Sequence, residues 1–195
     1  MTINSPSVIR EHKLNILEII KIVIGALTPI VVAIVGWFIS SRLKKLDLVQ
    51  WSNQKLIEKR LEIYDSIAPL LNDFLCFYTW VGDWKDISPE LIIKAKRQLD
   101  KKINIYRFLF AENVYQAYQS FISLLFETYT APGENAKIRS HIQSLDGNRI
   151  SDCTYEWKPE WSDVFSKKNI EDKNAVRKAY LHLMDELRIS LGITR

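Results

Sequence analysis

The spacing of apolar and polar positions changes along the chain. From Ile22 to Ser41, twenty consecutive residues carry no charge, and eleven of them are Ile, Val, Leu or Phe. At about 1.5 Å of rise per residue, a helix of that length covers roughly 30 Å, the hydrocarbon thickness of a bilayer. Each of the eleven side chains favours insertion by roughly 0.3 to 0.6 kcal/mol, together about 5 kcal/mol, against smaller costs for Thr28, Pro29 and two serines. The run predicts a single membrane-spanning helix which, with its flanks, occupies 15–42. A cleaved export signal has an apolar region of about 7 to 15 residues and ends in small residues. This run ends in Trp37-Phe38-Ile39 and then Arg42.

Beyond it the pattern becomes that of packed helices. No Gly or Pro interrupts Leu43 to Ala68, and Ile57, Leu61, Tyr64, Ala68, Leu71, Leu75 and Tyr78 alternate steps of four and three. That seam predicts a helix continuous with the span, kinked or restarted at Pro69. Val81-Gly82-Asp83-Trp84 reads as a turn. Ser88-Pro89-Glu90 supplies a side-chain cap, a proline at the first helical position and an acid in the first turn. The helix it opens carries Ile92, Ala95, Leu99, Ile103, Tyr106 and Phe110 on one face. A helix over 112–130, ended by Pro132-Gly133, has a wide apolar arc built on Val114, Tyr118, Phe121 and Leu125. A short helix is expected over 136–144.

The irregular stretch after it holds Trp157 and Trp161 on either side of Lys158-Pro159-Glu160. Two tryptophans in a loop predict a loop folded onto the body, with a partner-binding surface as the alternative. A last helix over 171–191 buries Val176, Tyr180, Leu183, Leu187 and Leu191. No alternating strand pattern of useful length occurs. The fold class is therefore all-α: a disordered tail over 1–14, a transmembrane helix over 15–42, and a cytoplasmic helical bundle over 43–195.

Charge refines the placement. Arg42, Lys44 and Lys45 crowd one flank of the run, whereas Arg10, Lys13 and Lys21 are mixed with Glu11 and Glu18 on the other. This bias points the C-terminal part into the cytoplasm of a bacterial cell, with Trp37 as an interfacial anchor in the inner membrane. The overall balance of 27 basic against 23 acidic residues is mild, suited to a solvated surface with some lysines facing anionic lipid. Two cysteines without a motif argue for a reducing compartment and against a zinc site. No metal or other cofactor is expected.

Within the run, Gly25, Pro29, Ala33, Gly36 and Ser40 recur at steps of 4, 4, 3 and 4. A stripe of small residues permits close backbone approach between membrane helices, so this face is a candidate oligomerisation or pore-facing surface. Motifs of enzymes are mostly missing: there is no glycine-rich phosphate loop, no H-E-x-x-H and no nucleophile elbow. Glu58 and Glu62, beside Lys59 and Arg60, read as surface ion pairs.

One pattern remains. Arg177 and His182, separated by four residues in the last helix, resemble the R-x(4–6)-H signature of HEPN ribonucleases. That resemblance implies a metal-free RNA cleavage in which Arg and His of two protomers meet at a dimer interface. The chemistry suits the residues, since Arg holds a phosphate and His shuttles protons near neutral pH. The wider layout, a single N-terminal span, a helical domain and this Arg-x4-His, resembles the membrane-pore accessory proteins of RNA-targeting type VI-B CRISPR systems. It implies oligomeric pores that depolarise the bacterial inner membrane during phage defence. "KRLEIYDSIAPLLNDF", "GDWKDISPE" and "LDKKINIYRFLF" also look like a group of small bacterial membrane-anchored helical proteins. The expectation is a non-enzymatic, homo-oligomeric membrane protein acting as a pore-type effector or regulator. The alternatives are a tethered ribonuclease acting on RNA and a scaffold that recruits a cytoplasmic partner through Trp157 and Trp161.

Overall fold

Helix α1 runs from Ile16 to Thr79. The computed structural model describes residues 16–128, 133, 136–168, 170 and 172–193, so the expected tail over 1–14 lies outside the described residues. The chain is mostly helical, 72% helix and 5% strand. It divides into two compact units, Met1–Asn53 and Gln54–Arg195. The described part of the first unit is the N-terminal part of α1. The second contains the rest of α1 together with α2 (Pro89–Tyr106), a 3-10 turn at Arg107–Leu109, α3 (Glu112–Leu125), a 3-10 segment at Pro159–Val164 and α4 (Lys173–Ser190).

Four two-residue strands complete the second unit. β1 (Phe126–Glu127) pairs antiparallel with β2 (Lys137–Ile138), and β3 (Gln143–Ser144) with β4 (Gly147–Asn148). These strands correct two expectations. The helix expected over 136–144 is absent, because Ile138 is drawn into the core as a strand residue opposite Phe126 and bridges Phe165 on its other side. The helix expected to reach residue 130 ends at Leu125 for the same reason: the Leu125 carbonyl takes the Arg139 N–H at 2.8 Å and the Tyr78 hydroxyl at 2.5 Å. Pro69 neither ends nor restarts α1. Its missing N–H leaves one helical carbonyl without a donor. In the same turn, the Ser66 carbonyl accepts from Lys102 Nζ at 3.0 Å.

The core of the second unit is built on one face of α1. Its fully buried line is Ile63, Ile67, Leu71, Phe74 and Phe77, one position out of phase with the Tyr64 and Ala68 seam read from the sequence; Ile57 and Leu61 are exposed. Against it pack Ile92, Leu99 and Ile103 of α2, Val114, Tyr118 and Phe121 of α3, and Val176, Leu183 and Leu187 of α4, the faces their spacing predicts. Phe74, Phe126 and Tyr78 meet edge to face with centroids 5.7 and 6.0 Å apart. Ser88 caps α2 by accepting from the Leu91 N–H at 3.2 Å.

Two arginines fasten the chain over long sequence separations. Arg60 donates to the Leu109 carbonyl at 2.5 Å and to the Ser190 carbonyl, at the end of α4, at 2.6 Å. Arg149, from the loop after β4, is 1% exposed. Its guanidinium lies 3.7 Å from the Phe77 ring and 3.9 Å from the Trp80 ring. It donates to the carbonyls of Phe77 at 2.7 Å and His141 at 2.9 Å and to the Ser140 hydroxyl at 3.1 Å. Phe77 sits in the last turn of α1, where the helix carries partial negative charge, so a cation is favoured there. Trp80 follows the helix at φ 60°, a left-handed conformation normally given to glycine, and Val81 N–H closes the turn on the Cys76 carbonyl at 3.2 Å. Stacking of the Trp80 indole on Arg149 and against Trp84, 4.7 Å away, offsets that strain. Gly147 is required beside it, since a Cβ there would lie 2.9 Å from the Trp84 ring.

Removing the Arg149 side chain leaves two buried acceptors and one half-buried acceptor unpaired, so Arg149→Ala is expected to cost about 3 kcal/mol in urea denaturation. Arg149→Lys recovers little because an ammonium neither stacks nor forks in the same way. Ser88→Ala, the loss of one helix cap, costs about 1 kcal/mol. Alkaline pH provides a second check. Burial pushes the phenols of Tyr78, Tyr118 and Tyr155 above the ordinary 10.0, Tyr155 to about 12, and pulls Arg149 down from 12.5 to about 9. The phenols' contribution is complete below pH 10 and is lost as pH rises toward 12, because the folded state holds protons the unfolded chain has released. Arg149 acts in the opposite sense from pH 9 upward, but three phenols outweigh one guanidinium. Helical circular dichroism should therefore fall above pH 10 in step with rising tyrosinate absorbance.

Candidate functional site

The first unit offers one surface. From Ile22 to Ile39 every large apolar side chain is exposed, and an 18-residue window of this helix reaches a mean hydropathy of 2.5 with none of it buried. One helix is thus long and apolar enough to cross a membrane. Its hydroxyls are partly satisfied within the helix: Thr28 Oγ1 donates to the Ile24 carbonyl at 2.6 Å and Ser41 Oγ to the Trp37 carbonyl at 2.8 Å. Such bonds let a polar side chain sit in an apolar medium. Gly25, Pro29, Ala33, Gly36 and Ser40 are all exposed and fall within an arc of about 80° at 100° per residue. A Cβ on Gly25 or Gly36 would meet nothing within 4 Å, so no packing inside the chain demands glycine there. Trp37 is 72% exposed, the Arg42 guanidinium lies 5.2 Å from the Phe38 ring centre, and Lys44 and Lys45 are exposed.

In the second unit, Arg177 and His182 are both exposed on α4 beside the buried Val176 and Leu183. Five residues of helix separate them by about 140° around its axis. Neither takes part in a hydrogen bond or ion pair with its side chain among the described residues. Within one chain the structure does not bring them together.

Trp157 and Trp161 are brought together. Their rings meet at 90° with centroids 5.6 Å apart, Trp161 is buried, and Tyr155 and Phe165 pack at 5.6 and 6.2 Å. Pro159 opens the 3-10 segment that carries Trp161, and the loop is folded onto the body as the two tryptophans suggested. Between this segment and the first half of α2 lies an open groove of about 550 Å³, walled by Trp161, Ile93 and Val164 and rimmed by Lys94, Glu160 and Lys158. Lys158 reaches Glu90 across it at 3.4 Å, an exposed pair of small energetic weight. Lys94, Arg97 and Lys158 stand against Glu90 and Glu160 around it, so the groove is close to balanced, with a slight basic excess.

No family model, curated protein or solved structure matches this chain.

The fold makes prominent two groups that no sequence pattern marks. Arg149 lies in an irregular loop with no period to mark it. Lys96, Asp100 and Tyr118 form a network in which Lys96 Nζ donates to Asp100 at 2.6 Å and the Tyr118 hydroxyl donates to the other carboxylate oxygen. A Lys and an Asp four apart on an amphipathic helix look like any surface pair. The available signal was their position beside Ala95 and Leu99, at the edge of the buried face. Burial, and secondarily the Asp100 charge, hold the Tyr118 phenol well above the ordinary tyrosine range, so it remains a donor.

The folded-down loop has a measurable consequence. Trp161→Ala should cost about 3 kcal/mol or more in urea denaturation. Lys158→Ala, which breaks only the exposed pair with Glu90, should change stability by no more than about 0.5 kcal/mol.

Proposed function

We propose that this chain is a single-span protein of the bacterial inner membrane, with its helical unit on the cytoplasmic side. It self-associates through the Gly25–Ser40 face and acts as a membrane-perturbing, pore-type effector or regulator of the kind used in phage defence. The observation that carries the reading is the apolar helix of mean hydropathy 2.5 with nothing buried around it. In water that surface would stand against the hydrophobic effect along its whole length, whereas lipid covers it at no such cost. The core helix of a soluble protein would be mostly buried, and this one is not. The exposed basic group Arg42, Lys44 and Lys45 supports the cytoplasmic placement. Open space at Gly25 and Gly36 supports association, because lipid-embedded helices pack most closely through residues of that size.

A second reading, a tethered ribonuclease, is favoured by one observation: Arg177 and His182 are exposed and unengaged among the described residues. On that reading two copies would bring their pairs together on RNA.

The deciding experiment follows membrane potential in cells expressing the full chain, with oligomeric state measured in detergent. Depolarisation and a defined oligomer are expected, both lost in the double variant Gly25→Leu/Gly36→Leu and both kept in His182→Ala. A monomer in detergent, together with an unchanged potential, sinks the pore reading. RNA cleavage by residues 43–195 alone, abolished by His182→Ala, establishes the second.

A further inference from the structure

We propose that the cleft between α2 and α3 binds a small, uncharged, hydroxyl-rich molecule: a nucleoside or a monosaccharide. The cleft has a volume of about 360 Å³, within the range of small-ligand sites. Its floor is the Lys96–Asp100 pair, whose side chains are 11% and 34% exposed. Lys96 is largely covered and Asp100 is partly open to solvent, so the pair presents a held donor and a held acceptor to the cleft.

The charge of the floor selects the ligand. An anion drawn to Lys96 would meet the Asp100 carboxylate, and a cation drawn to Asp100 would meet the Lys96 ammonium. The two sit side by side, a donor with hydrogens to spare next to an acceptor with free lone pairs. A vicinal diol offers the complement, because each hydroxyl both donates and accepts. Tyr118 holds the second Asp100 oxygen from behind and so fixes the carboxylate plane. The Asn104 amide is partly held as well, donating to the Asp100 carbonyl at 2.8 Å and leaving its own oxygen free.

The walls repeat this chemistry. Asn104, Gln119, Ser123 and Thr128 line the cleft with amides and hydroxyls, and the side chains of Gln119 and Thr128 make no hydrogen bond among the described residues. Ile122 and the edge of Tyr115, whose ring also carries the Arg107 guanidinium 3.9 Å from its centre, supply the apolar part that a sugar ring's C–H face requires. The site lies wholly within the second unit and owes nothing to the membrane reading.

The test is calorimetric titration of the full chain in detergent with adenosine, uridine, glucose and galactose, and with their phosphorylated forms. Saturable binding of at least one uncharged probe is expected, weaker for its phosphorylated counterpart. The nucleoside and sugar arms then separate the two sources of the diol. Affinity should fall at least tenfold in Asp100→Asn and in Gln119→Ala. Thr128→Val, also an exposed wall position, guards against loss of fold and should weaken binding while circular dichroism stays unchanged. The proposal is overturned if no uncharged probe binds or if a phosphorylated form binds more tightly. It is equally overturned if binding survives unchanged in both Gln119→Ala and Thr128→Val.

Discussion

A guanidinium without a carboxylate to balance it closes the end of α1. Burying an unpaired cation is ordinarily prohibitive, and Arg149 is tolerated because its charge is spread over several weak partners. One carbonyl in the last turn of the helix, one loop carbonyl, a hydroxyl and the faces of Phe77 and Trp80 each take a share. The arrangement constrains everything around it. Trp80 must take a left-handed turn to present its ring, Gly147 must lack a side chain to admit Trp84, and the loop carrying β3 and β4 must return to the end of α1. A polar loop with only two-residue strands is thereby made part of the core.

The two units obey different rules. In the second, apolar faces find one another and form a common core. In the first, the large apolar residues of the described helix are exposed. The contrast is not a matter of degree: Ile67 and Leu71 are almost wholly buried while Ile22 and Val32 are 64% exposed, although all four are aliphatic residues of α1. What differs is whether the rest of the chain covers them.

Much of this was legible in the sequence, and the parts that were not have a common cause. Period 3.6 located α2, α3 and α4, and Ser88-Pro89 marked the start of α2 to the residue, because these are local preferences. The helix expected over 136–144 failed because Ile138 is held by Phe126 and Phe165, partners distant in the chain that no local pattern announces. Phase along α1 slipped by one position, since Ile63 and Tyr64 both suit a helical seam and only the packing of α2 and α3 chooses between them. The small-residue stripe of α1 is a matter of spacing alone and its exposure follows from the apolar run around it, whereas Asp100 acquires its character from Tyr118, contributed by another helix. Arg149 was illegible because its neighbours come from residues 77 to 84 and 140 to 141.

The clasp made by Arg60 has a consequence in time. Its partner carbonyl on Ser190 lies 130 residues further along the chain. At roughly 5 to 20 residues per second, translation leaves an interval on the order of ten seconds between the emergence of the two groups. The apolar segment ahead of Arg60 leaves the ribosome before that interval begins. The bond that fastens α1 to the end of α4 can therefore form only after almost the whole helical unit has been made.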